Sequence, residues 1–173
     1  MAALQKVAIF GVRSDPRPRP IIQDHAPANN PQASGNFGTP ITAALQAAGF
    51  TVTVITRVDS PSVFPPDLPV LRTAYTTEAL TAALAGQDAV VCVVGPAGVH
   101  LQTAMIDAAA AAGVSRFIVD DFGWGPTARG MPELMEINDK RRAQWDHARV
   151  AAEGTKGFSW TGVSTGNPID WVR

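Results

Sequence analysis

Lys6-Val-Ala-Ile-Phe-Gly11 and Ala33-Ser-Gly-Asn-Phe-Gly-Thr39 read as two halves of one turn, held apart by Val12–Gln32. Read end to end, they give Val-Ala-Ile-Phe-Gly-Ala-Ser-Gly-Asn-Phe-Gly-Thr-Pro. That is an apolar strand, a G-x-x-G-x-x-G turn and the start of a helix. Such a unit suits a dinucleotide. Glycines allow a tight turn and close backbone approach, and the helix N-terminus directs its N–H groups at the pyrophosphate. Gly11, Ser34, Gly35, Asn36, Phe37 and Gly38 are therefore the candidate cradle.

The intervening segment differs from its surroundings. It holds five of the chain's 14 prolines (Pro16, Pro18, Pro20, Pro27 and Pro31) and one short apolar pair, Ile21-Ile22. It cannot bury enough apolar surface to offset its ordering entropy, so disorder is expected over 12–32. A Val codon begins with GT and a Gln codon can end in AG, as introns do. Ala28-Asn29 can be encoded by a branch-point-like sequence. The segment reads as a retained intron or gene-model error, with a real loop as the alternative.

With 173 residues and 46% hydrophobic content, the chain is sized for one domain with its own core. A net charge of −1 gives no electrostatic footprint for nucleic acid. The basic run Lys140-Arg141-Arg142 reads as a solvated helix face. The single cysteine, Cys92, lies in Ala89-Val-Val-Cys-Val-Val94 and reads as a small buried hydrophobe, which fits a reducing compartment. No stretch has the length and apolarity of a membrane span, and no leader is evident, so a cytoplasmic protein without membrane partners is expected. His100 and His147 have no companions at metal-ligand spacing; both read as structural, and no metal is expected.

The order of elements sets the fold class. A helix from about Gly38 to Ala48 is expected, with Thr39 as N-cap and Pro40 at its first helical position. Thr51–Thr56 is β-branched and reads as a second strand, ending in Arg57. Pro69–Thr73, Asp88–Val94, Ser115–Val119 and Phe158–Val163 read as further strands. Thr77–Leu84, Val99–Ala112 and Glu133–Glu153 read as helices. Strands alternating with helices imply an α/β, doubly wound parallel sheet with right-handed crossovers, a Rossmann-like NAD(P)-binding fold. A flavodoxin-like strand order is the runner-up. The whole chain reads as a single domain, 1–173, carrying the 12–32 insert.

Four motifs then resemble one family. The joined glycine turn, Val54-Ile-Thr-Arg57, Ala112-Gly-Val-Ser-Arg-Phe-Ile-Val-Asp-Asp-Phe-Gly123 and Ser159-Trp-Thr-Gly-Val-Ser-Thr-Gly166 are similar, in order and spacing, to motifs of NmrA-like and isoflavone-reductase-like proteins. These are atypical members of the short-chain dehydrogenase superfamily. Val119-Asp-Asp-Phe122 stands where the family has Pro-Ser-Glu-Phe. Asn167-Pro-Ile-Asp-Trp171 stands where Pro-Phe-Phe-Asp-Trp is usual. Family members run to roughly twice this length, so the resemblance implies a C-terminally truncated form that lacks much of the substrate pocket.

Arg57 ends the second strand, where an acid would bind a ribose 2′-hydroxyl. Arginine there favours a 2′-phosphate, hence NADP; an idle surface arginine is the alternative. Gly95 and Pro96 form the turn after the fourth strand, on the nicotinamide side or simply as a tight turn. The resemblance implies that Lys140 is the general acid/base, or orients substrate and ribose; a solvated lysine is the alternative. Asp120 and Asp121 are adjacent and are expected to face opposite ways. No Ser-x-x-x-Tyr-x-x-x-Lys pattern occurs. The expected activity is NADP-dependent oxidoreduction of a small organic substrate. The alternatives are a non-catalytic dinucleotide sensor acting on a protein partner, and an inactive truncated or mis-spliced product.

Overall fold

The computed structural model describes residues 4–11, 35–94, 96–123, 125 and 135–166. The 12–32 segment lies outside the described residues. Six parallel strands form one sheet: β1 (Lys6–Phe10), β2 (Thr51–Arg57), β3 (Val70–Thr73), β4 (Ala89–Cys92), β5 (Arg116–Val119) and β6 (Ser159–Gly162), in the order β3-β2-β1-β4-β5-β6. This is the doubly wound order, reversing between β1 and β4, and not the flavodoxin-like one. The central registers are Ile9 against Val54 on one side and against Val91 on the other.

The side-chain period of two divides the strands between two cores. Val7, Ile9, Val52, Val54, Ala89, Val91 and Val93 face α1 (Gly35–Ala47), whose Phe37, Ile41 and Leu45 cover them. Ala8, Phe10, Ile55, Val90, Cys92, Phe117 and Val119 face the opposite way. There they meet Leu80 and Leu84 of α2 (Thr77–Leu84), Met105 and Ile106 of α3 (Gln102–Ala111), and Ala148 of α4 (Met135–Gly154). The distribution follows from right-handed crossovers. Moving from β1 to β2 places α1 on one face; from β3 back to β4 and outward, the helices must take the other.

Two helix starts differ from the sequence reading. α1 begins at Gly35, so Gly35–Gly38 form its first turn and Pro40 lies inside the helix. Thr39 is not its cap. A proline this near the N-terminus removes only the bond to the Asn36 carbonyl, and the buried Thr42 hydroxyl donates to the Gly38 carbonyl at 2.7 Å. The Val99–Ala112 helix is also divided: Pro96–Leu101 is a 3-10 turn and α3 starts only at Gln102. Among the described residues, no helix is long and apolar enough to cross a membrane.

Candidate nucleotide-binding site

The site is assembled at the carboxyl ends of the strands, around the point where strand order reverses. Gly11 leaves β1 with φ +82°. A Cβ built there would fall inside the Val93 carbonyl, so the β1 exit and the β4 exit are in backbone contact that glycine alone permits. The Val93 N–H donates to the Phe10 carbonyl at 3.1 Å, which extends the β1–β4 pairing to the edge itself. On this side of the sheet stands the first turn of α1, Gly35-Asn36-Phe37-Gly38, with Gly38 buried. The N-terminal N–H groups of a helix have no partners within it and favour an anion.

Arg57 closes β2 at the same edge. Its Nε lies 3.5 Å from a carboxylate oxygen of Asp59, and both side chains are exposed. Pro96 begins the 3-10 turn after β4. Ser34 and Gly95 lie outside the described residues. The structure thus brings Gly11, the Gly35–Gly38 turn, Arg57 and the β4 exit to one sheet edge. Lys140 is on α4, and its amino group holds a carboxylate oxygen of Glu136 at 2.6 Å in an exposed (i, i+4) pair. That lysine keeps the Glu136 carboxyl below its ordinary value.

Beside this edge lies a polar cluster that sequence reading missed. The Asp121 carboxylate is fully buried; one oxygen accepts from the Ser164 hydroxyl at 2.8 Å and the other faces an Arg141 guanidinium nitrogen at 3.7 Å. Next to it, the buried Gln102 side chain accepts from the Asp120 N–H at 2.8 Å. These contacts fix the loop leaving β5. Phe122 within it has φ +44°, a conformation that costs a bulky residue about 1–3 kcal/mol. It persists because the surroundings over-determine it. The Phe122 N–H donates to the Val163 carbonyl, and the Phe122 carbonyl accepts from the Thr165 hydroxyl, both at 2.9 Å. Its ring stacks on Phe37 at 5.3 Å between centroids, so the β5 exit loop leans on the first turn of α1. The readable signal was two adjacent carboxylates straight after an apolar strand, where burial demands partners.

The residues present fit a nicotinamide dinucleotide: a glycine that no Cβ can replace, a helix N-terminus, and a cation at the second strand's end. Residues 33–171 match the family described as NAD(P)H-binding. The match begins directly after the 12–32 segment, although β1, which precedes that segment, lies inside the sheet between β2 and β4. The chain is 61% identical over 141 residues to oxidoreductase poxI of Penicillium oxalicum, which covers 82% of this chain and 45% of that protein. It is 34% identical over 141 residues to oxidoreductase aprR of Aspergillus flavus, covering 78% and 46%. The chain therefore spans under half the length of these relatives. Among solved structures, the leucoanthocyanidin reductase–NADPH complex of Vitis vinifera is similar in fold, with TM-score 0.67, 18% identity, and coverage of 92% of this chain and 49% of that one. At 18% identity, the likeness to that reductase is one of fold. From the glycine turn, the strand order and the 33–171 match together, the chain belongs to the family of NAD(P)H-binding proteins.

Proposed function

We propose that this chain is the cofactor-binding part of an NADP-dependent oxidoreductase acting on a small organic substrate. The observation that carries the reading is the convergence of Gly11, the α1 N-terminus and Arg57 on one sheet edge. Bound there, a nicotinamide dinucleotide supplies or accepts a hydride. The chain's own residues do the rest. Gly11, Ser34, Gly35, Asn36, Phe37 and Gly38 hold the pyrophosphate, Arg57 takes the 2′-phosphate through charge-assisted hydrogen bonds, and Gly95 and Pro96 border the nicotinamide. Lys140 is assigned proton transfer, by resemblance. It must release Glu136 to reach a substrate, and a solvent-exposed (i, i+4) pair, screened by water, sets little barrier to that.

Arg57→Ala should weaken NADPH binding by about 1–3 kcal/mol and leave NADH nearly unchanged. Equal NADPH affinity in parent and variant would overturn the NADP assignment. Lys140→Ala, in a protein of the relatives' full length, should lower turnover by about 10²–10⁴ with NADPH affinity kept. Unchanged turnover would return Lys140 to the solvated helix face.

A further inference from the structure

Arg57 does not stand alone at the end of β2. The Ser60 N–H donates to the Arg57 carbonyl at 3.1 Å, closing a tight turn over Arg57-Val58-Asp59-Ser60. That turn is stapled from β3. The two terminal nitrogens of Arg72 donate to the Ser60 carbonyl at 2.7 Å and the Ser62 carbonyl at 2.6 Å. Asp59 is therefore a carboxylate fixed by its backbone against Arg57, rather than one passing by on a long loop. The contact uses Nε of Arg57, at the base of the fork.

We propose that Asp59 sets the balance between the two nicotinamide cofactors, an inference that rests on the assignment of Arg57 above. A carboxylate is acceptor-only and can take a ribose hydroxyl, while a guanidinium is donor-only and takes a phosphate. Presented together, the pair offers a partner to a 2′-hydroxyl and to a 2′-phosphate. The same carboxylate opposes the phosphate, because it shares Arg57 and repels a second anion. Both groups are exposed, so water and salt limit that opposition to about a threefold effect on affinity. Asp59 thus weakens NADPH, supports NADH and narrows the preference that Arg57 alone would give.

The experiment is titration of the full chain with NADPH and with NADH at low and high salt, for the parent, Asp59→Asn, Arg57→Ala and the double variant. The same set is measured with Gly11 joined to Ala33, which keeps the comparison readable if the parent binds weakly. Asp59→Asn should tighten NADPH about threefold, leave NADH unchanged or weaker, and lose its effect at high salt. On an Arg57→Ala background its effect on NADPH should shrink. If Asp59→Asn leaves the NADPH-to-NADH ratio unchanged, or weakens NADPH, while Arg57→Ala still lowers NADPH affinity, the role of Asp59 is overturned and that of Arg57 stands. If Arg57→Ala changes nothing, both fall. Melting temperatures of the variants should stay at the parent's, since the pair is exposed.

Discussion

Arg141 points inward from α4 to the fully buried carboxylate of Asp121, 3.7 Å away, while its neighbours Lys140 and Arg142 pair in solvent with Glu136 and Asp139. The carboxylate's other oxygen is held by Ser164, so three segments distant in sequence meet at one charge. Removing one member of a buried pair strands the other, which costs about 3–5 kcal/mol; the long separation puts this pair at the lower end. Arg141→Leu should therefore destabilise the chain by about 3 kcal/mol in urea unfolding. Arg141→Leu combined with Asp121→Asn should recover part of that loss. Additive single effects would mean that the two groups do not interact.

Gly11 gives the sharpest steric expectation. Its positive φ and the Val93 carbonyl against it leave no room for a side chain. Gly11→Ala must move the β4 exit or the β1 end. We expect a loss above about 3 kcal/mol, seen as a large fall in Tm or as insoluble protein. A Tm equal to the parent's would show that the backbone approach is looser than described.

Asp88 ties the sheet's entry. One of its carboxylate oxygens accepts from the N–H groups of Gln5 and Lys6, both at 2.8 Å, where β1 begins. These two bonds hold the carboxyl below its ordinary value. Folding thus favours the charged form. The stability this brings is fully present above the unfolded value of about 3.9 and is lost as pH falls through the lower, folded one. Asp88→Asn should lower Tm at neutral pH and flatten its decline in acid. A variant that melts in parallel with the parent at every pH would remove Asp88 from the account of acid stability.

Most of the fold was legible because it rests on local rules. β-branched and apolar runs gave the strands, and the glycine after Phe10 gave the turn that makes β1 central. The start of α1 was misplaced because Thr39-Pro40 mimics a cap, whereas Gly35 and Gly38 were free to enter the helix. Val99–Leu101, the end of the 3-10 turn over Pro96–Leu101, was read as the start of the next helix because it runs without a break into the Ala-rich stretch that follows. The Asp121–Arg141–Ser164 cluster could not be read from charge spacing, since it joins α4 to the segments that leave β5 and β6. A faint signal existed in the period of α4. Asn138, Gln144 and Ala148 are buried and Arg141 and Trp145 half-buried, so position 141 shares the inward stripe while 140 and 142 do not.

The glycine cradle itself is tested most directly by removing what divides it. Gly11 must lie a few residues before Gly35 for the backbone N–H groups of the turn to converge on a phosphate, and in this chain Val12–Gln32 separates Gly11 from Ala33. Closing the longer connection adds only about 2 kcal/mol of chain entropy, so we expect the sheet to form with or without the inserted residues. Calorimetric titration with NADPH, on the 173-residue chain and on the same chain with Gly11 joined to Ala33, measures the difference. We expect the joined chain to bind at least about tenfold more tightly, since a fixed turn removes the ordering cost of binding. Equal affinities would contradict the claim that 12–32 interrupts the site, and no binding by the joined chain would contradict the cradle.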